Sequence, residues 1–159
     1  MIKRIVVELP VHVKKYFMFE FDGYQKKNGT DQIHVDKHSD LGELIHLLSQ
    51  PILYTQKPVV SSGKSTLSIE YYTHVQALDI SHQKLPQLAK YMEKMFRRSL
   101  INEVQGTYEL VGCDYGPLVS RFLEKRGIIR DVDIDYQTAR KIFRDHIAKK
   151  VRKSAKMYA

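Results

Sequence analysis

The chain of 159 residues has one cysteine, Cys113, and no tryptophan. A lone thiol closes no internal disulfide, and no Cys-x-x-Cys pair is present. A disulfide scaffold is excluded, and a reducing compartment is expected. Long apolar runs are also missing. No window approaches the roughly 20 apolar residues of a membrane span. The opening MIKRIVVELP turns charged too soon for a signal peptide. The expectation is a cytoplasmic protein with no membrane partner. Repeats and low-complexity tracts are absent. Hydrophobic content of 43% argues against global disorder. A chain of this length buries roughly two-thirds of its unfolded surface without staples.

Acidic residues are scarce in one place, and that scarcity carries the functional argument. From Arg140 to Lys156 the basic residues are Arg140, Lys141, Arg144, Lys149, Lys150, Arg152, Lys153 and Lys156, opposed only by Asp145. This stretch holds +7 of the +8 net charge. Residues 1–139 carry 18 basic and 17 acidic side chains. Positive charge clustered in this way is the electrostatic footprint of a phosphate-backbone binder.

The apolar pattern predicts an α+β fold: a small N-terminal sheet with two short helices, then a helical C-terminal half. Ile2–Leu9 reads as a strand. The segment after Pro10 fits either period, and Val13, Phe17 and Phe21 at i, i+4, i+8 favour a helix ended by Asp22-Gly23. Lys26 to Asp31 is a polar turn, and Ile33–Val35 a short strand. Ser39 caps a helix with Leu41, Leu44, Ile45 and Leu48 on one face, stopped by Pro51. Ile52–Gln56 is a strand candidate, Pro58–Lys64 an exposed loop, and Thr66–Thr73 a half-buried strand running on towards Ile80. The longest helix spans Lys84 to Val104, capped by Ser81, with Leu85, Leu88, Ala89, Met92, Phe96 and Leu100 buried. Residues 113–117 break the chain. Helices over Leu118–Arg126 and Tyr136–Lys153 follow, separated by Gly127 and an acidic linker. These divide the chain into a mixed part, 1–80, a helical part, 81–153, and a basic tail, 154–159, with the first boundary anywhere between Ile80 and Asp114.

In the last helix pair, Leu118, Val119, Phe122 and Leu123 make one apolar face. Tyr136, Ala139, Ile142, Phe143, His146 and Ile147 make another. Gln137, Arg140, Lys141 and Arg144 fall elsewhere near the start of the final helix. The span LVSRFLEKRGIIRDVDIDYQTARKIFRDH resembles helix-turn-helix regulators of phages and mobile elements, with a stretch between its helices, Ile128–Asp135, longer than that motif's tight turn. The resemblance implies DNA binding, with Gln137 or Arg140 at base edges. The expected interface is Gln137, Arg140, Lys141, Arg144, Lys149, Lys150, Arg152 and Lys153. DNA is favoured over RNA, and homo-oligomerisation stays open.

Other patterns are outweighed by plainer readings. Asp131, Asp133 and Asp135 have EF-hand spacing, but Tyr136 stands where the loop needs glycine and Ile142 where it needs an acid. Carboxylates before a helix complement its positive end. Ser62-Gly63-Lys64-Ser65 ends like a phosphate-binding loop, but Pro58 replaces the first glycine and a strand pattern follows. His34 and His38, with Asp36 and Asp40 nearby, are a thin basis for a metal. Cys113 has no base partner and reads as structural. One ring of Tyr71-Tyr72 must face the core while the other could stack on a base. The chain is therefore expected to be non-enzymatic and cofactor-free. The alternative is an assembly or virion component, its basic tail docked on an acidic protein and the helix Lys84–Val104 forming an oligomer interface.

Overall fold

In the computed structural model, which describes residues 1–52, 65–74 and 78–158, the chain opens with strand β1 (Ile2–Glu8) and helix α1 (Val11–Glu20). Pro10 precedes α1 with φ −55°, and Val13, Tyr16 and Phe17 are its buried residues. Helix wins over strand because the i, i+4 pair Val13 and Phe17 can face the sheet together. After a turn come β2 (Tyr24–Gln25) and β3 (Asp31–Val35), antiparallel to each other. Helix α2 (Asp40–Leu48) starts at Ser39, whose hydroxyl accepts from Gly42 N at 3.0 Å. Strand β5 (Thr66–Tyr72) returns between β1 and β3, antiparallel to the first and parallel to the second, so the sheet order is β1-β5-β3-β2. Two two-residue strands, β4 (Gln50–Pro51) and β6 (Leu78–Asp79), pair separately.

The register sorts the sheet's faces. Ile5 and Val7 of β1, Leu67, Ile69 and Tyr71 of β5, and Ile33 and Val35 of β3 form the buried face. Lys14 of α1 pairs with Asp31 of β3 at 2.6 Å.

Helix α3 (Leu85–Val111) follows, then α4 (Tyr115–Lys125) and α5 (Tyr136–Tyr158). The chain is α+β as the periodicity implies, with the small sheet first and the helices last. It divides into two units, residues 1–93 and 94–159, and the division falls inside α3. Leu85, Leu88 and Met92 are buried in the first unit, Phe96, Leu100 and Val104 in the second.

Several boundaries differ from the sequence expectation. α3 runs seven residues past Val104, as far as Val111. β5 stops at Tyr72 instead of continuing to Ile80, where a separate strand, β6, stands. Ser68, placed on the open side by alternation, is 2% exposed. The 113–117 break is shorter than expected: Asp114 caps α4, and Tyr115-Gly116-Pro117 is already helix. Proline is tolerated there because the first-turn N–H groups have no intrahelical acceptor. The strand placed over Ile52–Gln56 and the loop over Pro58–Lys64, with the Ser62-Gly63-Lys64 pattern, fall at 53–64 outside the described residues. Pairing in that region begins earlier, at Gln50–Pro51, and Thr66 opens a strand.

Candidate nucleic-acid interface

The second unit builds its basic surface on a hairpin of α4 and α5. Asp114 caps α4, its carboxylate accepting from Gly116 N at 3.3 Å. Val119, Phe122 and Leu123 are buried, and the Phe122 ring meets Phe96 of α3 at 5.8 Å. The helix ends in a Schellman turn. Gly127, at φ +66°, donates to Glu124 O, and Ile128 donates to Leu123 O at 3.0 Å. Arg126, at the helix end, is 8% exposed. It bonds Glu103 at 3.2 Å and lies 3.9 Å over the Phe122 ring, so it is a structural cation.

The acidic linker turns its carboxylates onto its own backbone. Asp133 accepts from Ile129 N at 2.8 Å, and Asp131 accepts from Tyr136 N, the first residue of α5, at 3.0 Å. Asp135 accepts from the Thr138 hydroxyl at 3.2 Å. The last two bonds satisfy donors at the start of α5. Among the described residues no three His, Cys, Asp or Glu side chains come together as a metal set.

Two close approaches seat α5. Tyr136 donates its hydroxyl to Gly116 O at 3.1 Å, and a Cβ on Gly116 would stand 3.1 Å from that hydroxyl. Phe143, fully buried, meets Tyr115 at 5.3 Å and Tyr108 of α3 at 5.7 Å. His146 bonds Gln105 of α3 at 3.0 Å. Beyond Ile147 every residue whose side chain is described is exposed. The helix also continues through 154–158, the stretch set apart as a tail by composition.

The sequence-derived candidates separate into three environments. Gln137, Lys141, Arg144 and Arg152 are exposed. At 100° per residue they share the side of α5 away from Ala139 and Phe143. Lys149 and Lys153 are exposed on an adjoining strip, which Lys156 continues. Arg140 is half-buried, its guanidinium 5.6 Å from the Tyr115 ring centre and 5.7 Å from that of Tyr136, and its Nε is buried without a partner. Lys150 is exposed but reaches Glu109 of α3 at 3.3 Å. The roles of Glu109 and Arg126 have no local sequence signal, because each depends on a partner in another helix.

No family model matches this chain, and comparisons with curated proteins and with solved structures find no similar one. Among the described residues, no helix is long and apolar enough to cross a membrane.

Proposed function

We propose that the chain binds nucleic acid, duplex DNA before RNA, through the exposed side of α5. The observation that carries this reading is the presentation of Lys141, Arg144, Lys149, Arg152, Lys153 and Lys156 on a helix with no acidic side chain after Asp145. Each phosphate contact would release condensed counterions, giving a salt-dependent affinity. A helix about 10–12 Å across fits the roughly 12 Å major groove, where Gln137 and Arg144 could meet base edges. Arg140, between two tyrosine rings, acts as a clamp for the helix start.

The test is a gel-shift series with duplex DNA, single-stranded DNA and RNA at two salt concentrations. Replacing Lys141, Arg144 and Arg152 by Glu should abolish binding with the melting temperature retained. Arg140 is kept, since its replacement would also disturb the α4–α5 junction. Unchanged binding by the triple variant removes α5 as the site.

The second reading, an assembly component docked on an acidic protein, is favoured by Leu110 and Val111 at the end of α3, 88% and 65% exposed. An oligomer interface along Lys84–Val104 would have to use the side of that helix away from its apolar stripe. The apolar stripe of that helix is already covered within the chain, with Leu88, Met92, Phe96 and Leu100 fully buried.

A further inference from the structure

The face of the main sheet opposite the core carries residues that α5 does not account for. The register places Ile2, Arg4, Val6 and Glu8 of β1, Thr66, Ser68, Glu70 and Tyr72 of β5, Gln32 and His34 of β3, and Tyr24 of β2 on one side. Two rings there face solvent, Tyr24 at 52% and Tyr72 at 44% exposure. The side chains of Arg4 and His34 are 53% and 58% exposed.

A hydrogen-bonded row holds these groups in place. Glu70 accepts from Arg4 at 3.2 Å and from Gln32 at 3.2 Å, and His34 lies 3.6 Å from its other oxygen. Gln32 also donates to the Tyr24 hydroxyl at 2.8 Å, which fixes that ring at the sheet edge. The hydrogen bond from Arg4 holds the Glu70 carboxyl below the usual carboxylate range. On the same face Gln32 Oε1 and Ser68 Oγ are buried with no hydrogen-bond partner.

We infer that this sheet face binds single-stranded nucleic acid, with unpaired bases stacked on Tyr72 and Tyr24 and Arg4 at a phosphate. The chemistry is that of an aromatic platform. Every base presents a π-face, whereas a paired base keeps its faces in the duplex stack. Basic groups stand at both ends of the strip: Lys37 lies 3.5 Å from His74, whose ring packs edge-on to Tyr72, and Lys26 and Lys27 follow β2. Two acids, Glu8 and Glu70, lie on this face, and Arg4 and His34 flank Glu70. Of the two adjacent tyrosines of β5, Tyr71 is committed to the core, so the platform uses Tyr72.

The inference concerns a surface separate from α5, and the experiment tells the two apart. The full chain is titrated with a labelled oligothymidylate, an oligouridylate and a hairpin duplex. The parent should bind both single strands. The variant Tyr24→Ala/Tyr72→Ala should lose about ten-fold or more for single strands, with duplex affinity retained. Tyr24→Phe/Tyr72→Phe keeps the rings and should bind as the parent does. Amide shifts in the parent with oligothymidylate should centre on β5 and β3, a readout that needs no variant. Duplex binding with no single-strand binding overturns the inference and leaves the α5 reading standing. So does an alanine variant that binds single strands like the parent, or shifts confined to α5. Binding to none of the three ligands overturns both.

Discussion

Lys150 of α5 stands 3.3 Å from Glu109 of α3, so this candidate cation already has an anion of its own. Both side chains are well exposed. Hydrogen bonds from Gln105 and Lys150 hold the Glu109 carboxyl below its ordinary pKa, so it is charged at neutral pH. A phosphate that used Lys150 would have to compete with it. Glu109→Gln should therefore strengthen nucleic-acid binding and steepen the dependence of log K on log salt by up to about 0.9 for duplex DNA. The check is the salt slope of parent and variant side by side. An unchanged slope means that Lys150 contacts no phosphate.

Gly106 sits inside α3 with helix on both sides, and a Cβ there would meet nothing within 4 Å. Glycine in a helix interior costs about 1 kcal/mol relative to alanine. Gly106→Ala should raise stability by about 0.5–1 kcal/mol, read as a higher denaturant midpoint at constant m-value. A lower midpoint would show that the space beside Gly106 is not open.

Tyr71 gives a prediction at alkaline pH. Its ring is buried, and burial, with Asp79 adding to it, pushes the phenol from 10.0 up to about 12. The folded chain thus holds this proton more tightly than the unfolded chain. The resulting stability is fully present below pH 10 and is lost as pH rises from 10 towards 12. The loss attributable to Tyr71 is on the order of 2–3 kcal/mol across that window. Tyr71→Phe should flatten the decline above pH 10. Near neutrality it should be harmless, because the hydroxyl it removes has no hydrogen-bond partner. Denaturation midpoints against pH for both proteins decide this. Parallel alkaline declines would put Tyr71 outside the cause.

The parts of this fold that sequence reveals are those whose signals are local. Ser39 before Leu41 and Ile45 marks α2, and the Val13–Phe17 spacing after Pro10 marks α1. Gly127 marks the end of α4. What escapes is set by distant partners. The apolar stripe of α3 ends at Val104, but the helix continues to Val111. Its last turns are held by Tyr108 against Phe143 and by Gln105 to His146, 41 residues away. β4 and β6 are two residues each and have no period to read. At the candidate interface, charge singles out the last helix but does not distinguish an exposed Lys141 from an Arg140 beside two tyrosines or a Lys150 paired with Glu109.

The tip of α5 is where structure and proposed function meet most directly. From Ala148 to Met157 every side chain is exposed, so packing does not hold these turns as helix. Local charge works against them. Lys149–Lys153 and Arg152–Lys156 are like-charged at i, i+4, and Lys149–Arg152, Lys150–Lys153 and Lys153–Lys156 at i, i+3. Each such pair costs about 0.2–0.5 kcal/mol on a helix surface. Cations near a helix C-terminus recover part of this through the helix dipole. The expected outcome is a tip that frays at low salt in the free protein and orders if phosphates neutralise the lysines. Amide hydrogen exchange should show little protection from Arg152 onward, against strong protection around Phe143, with a bound DNA duplex slowing exchange at the tip. Sodium sulfate should slow it less, because dispersed anions screen the repulsion without fixing the helix in a groove. Tip amides as protected as those near Phe143 in the free protein at low salt would refute the fraying. Tip exchange left unchanged by a duplex that demonstrably binds would place that duplex elsewhere on the chain.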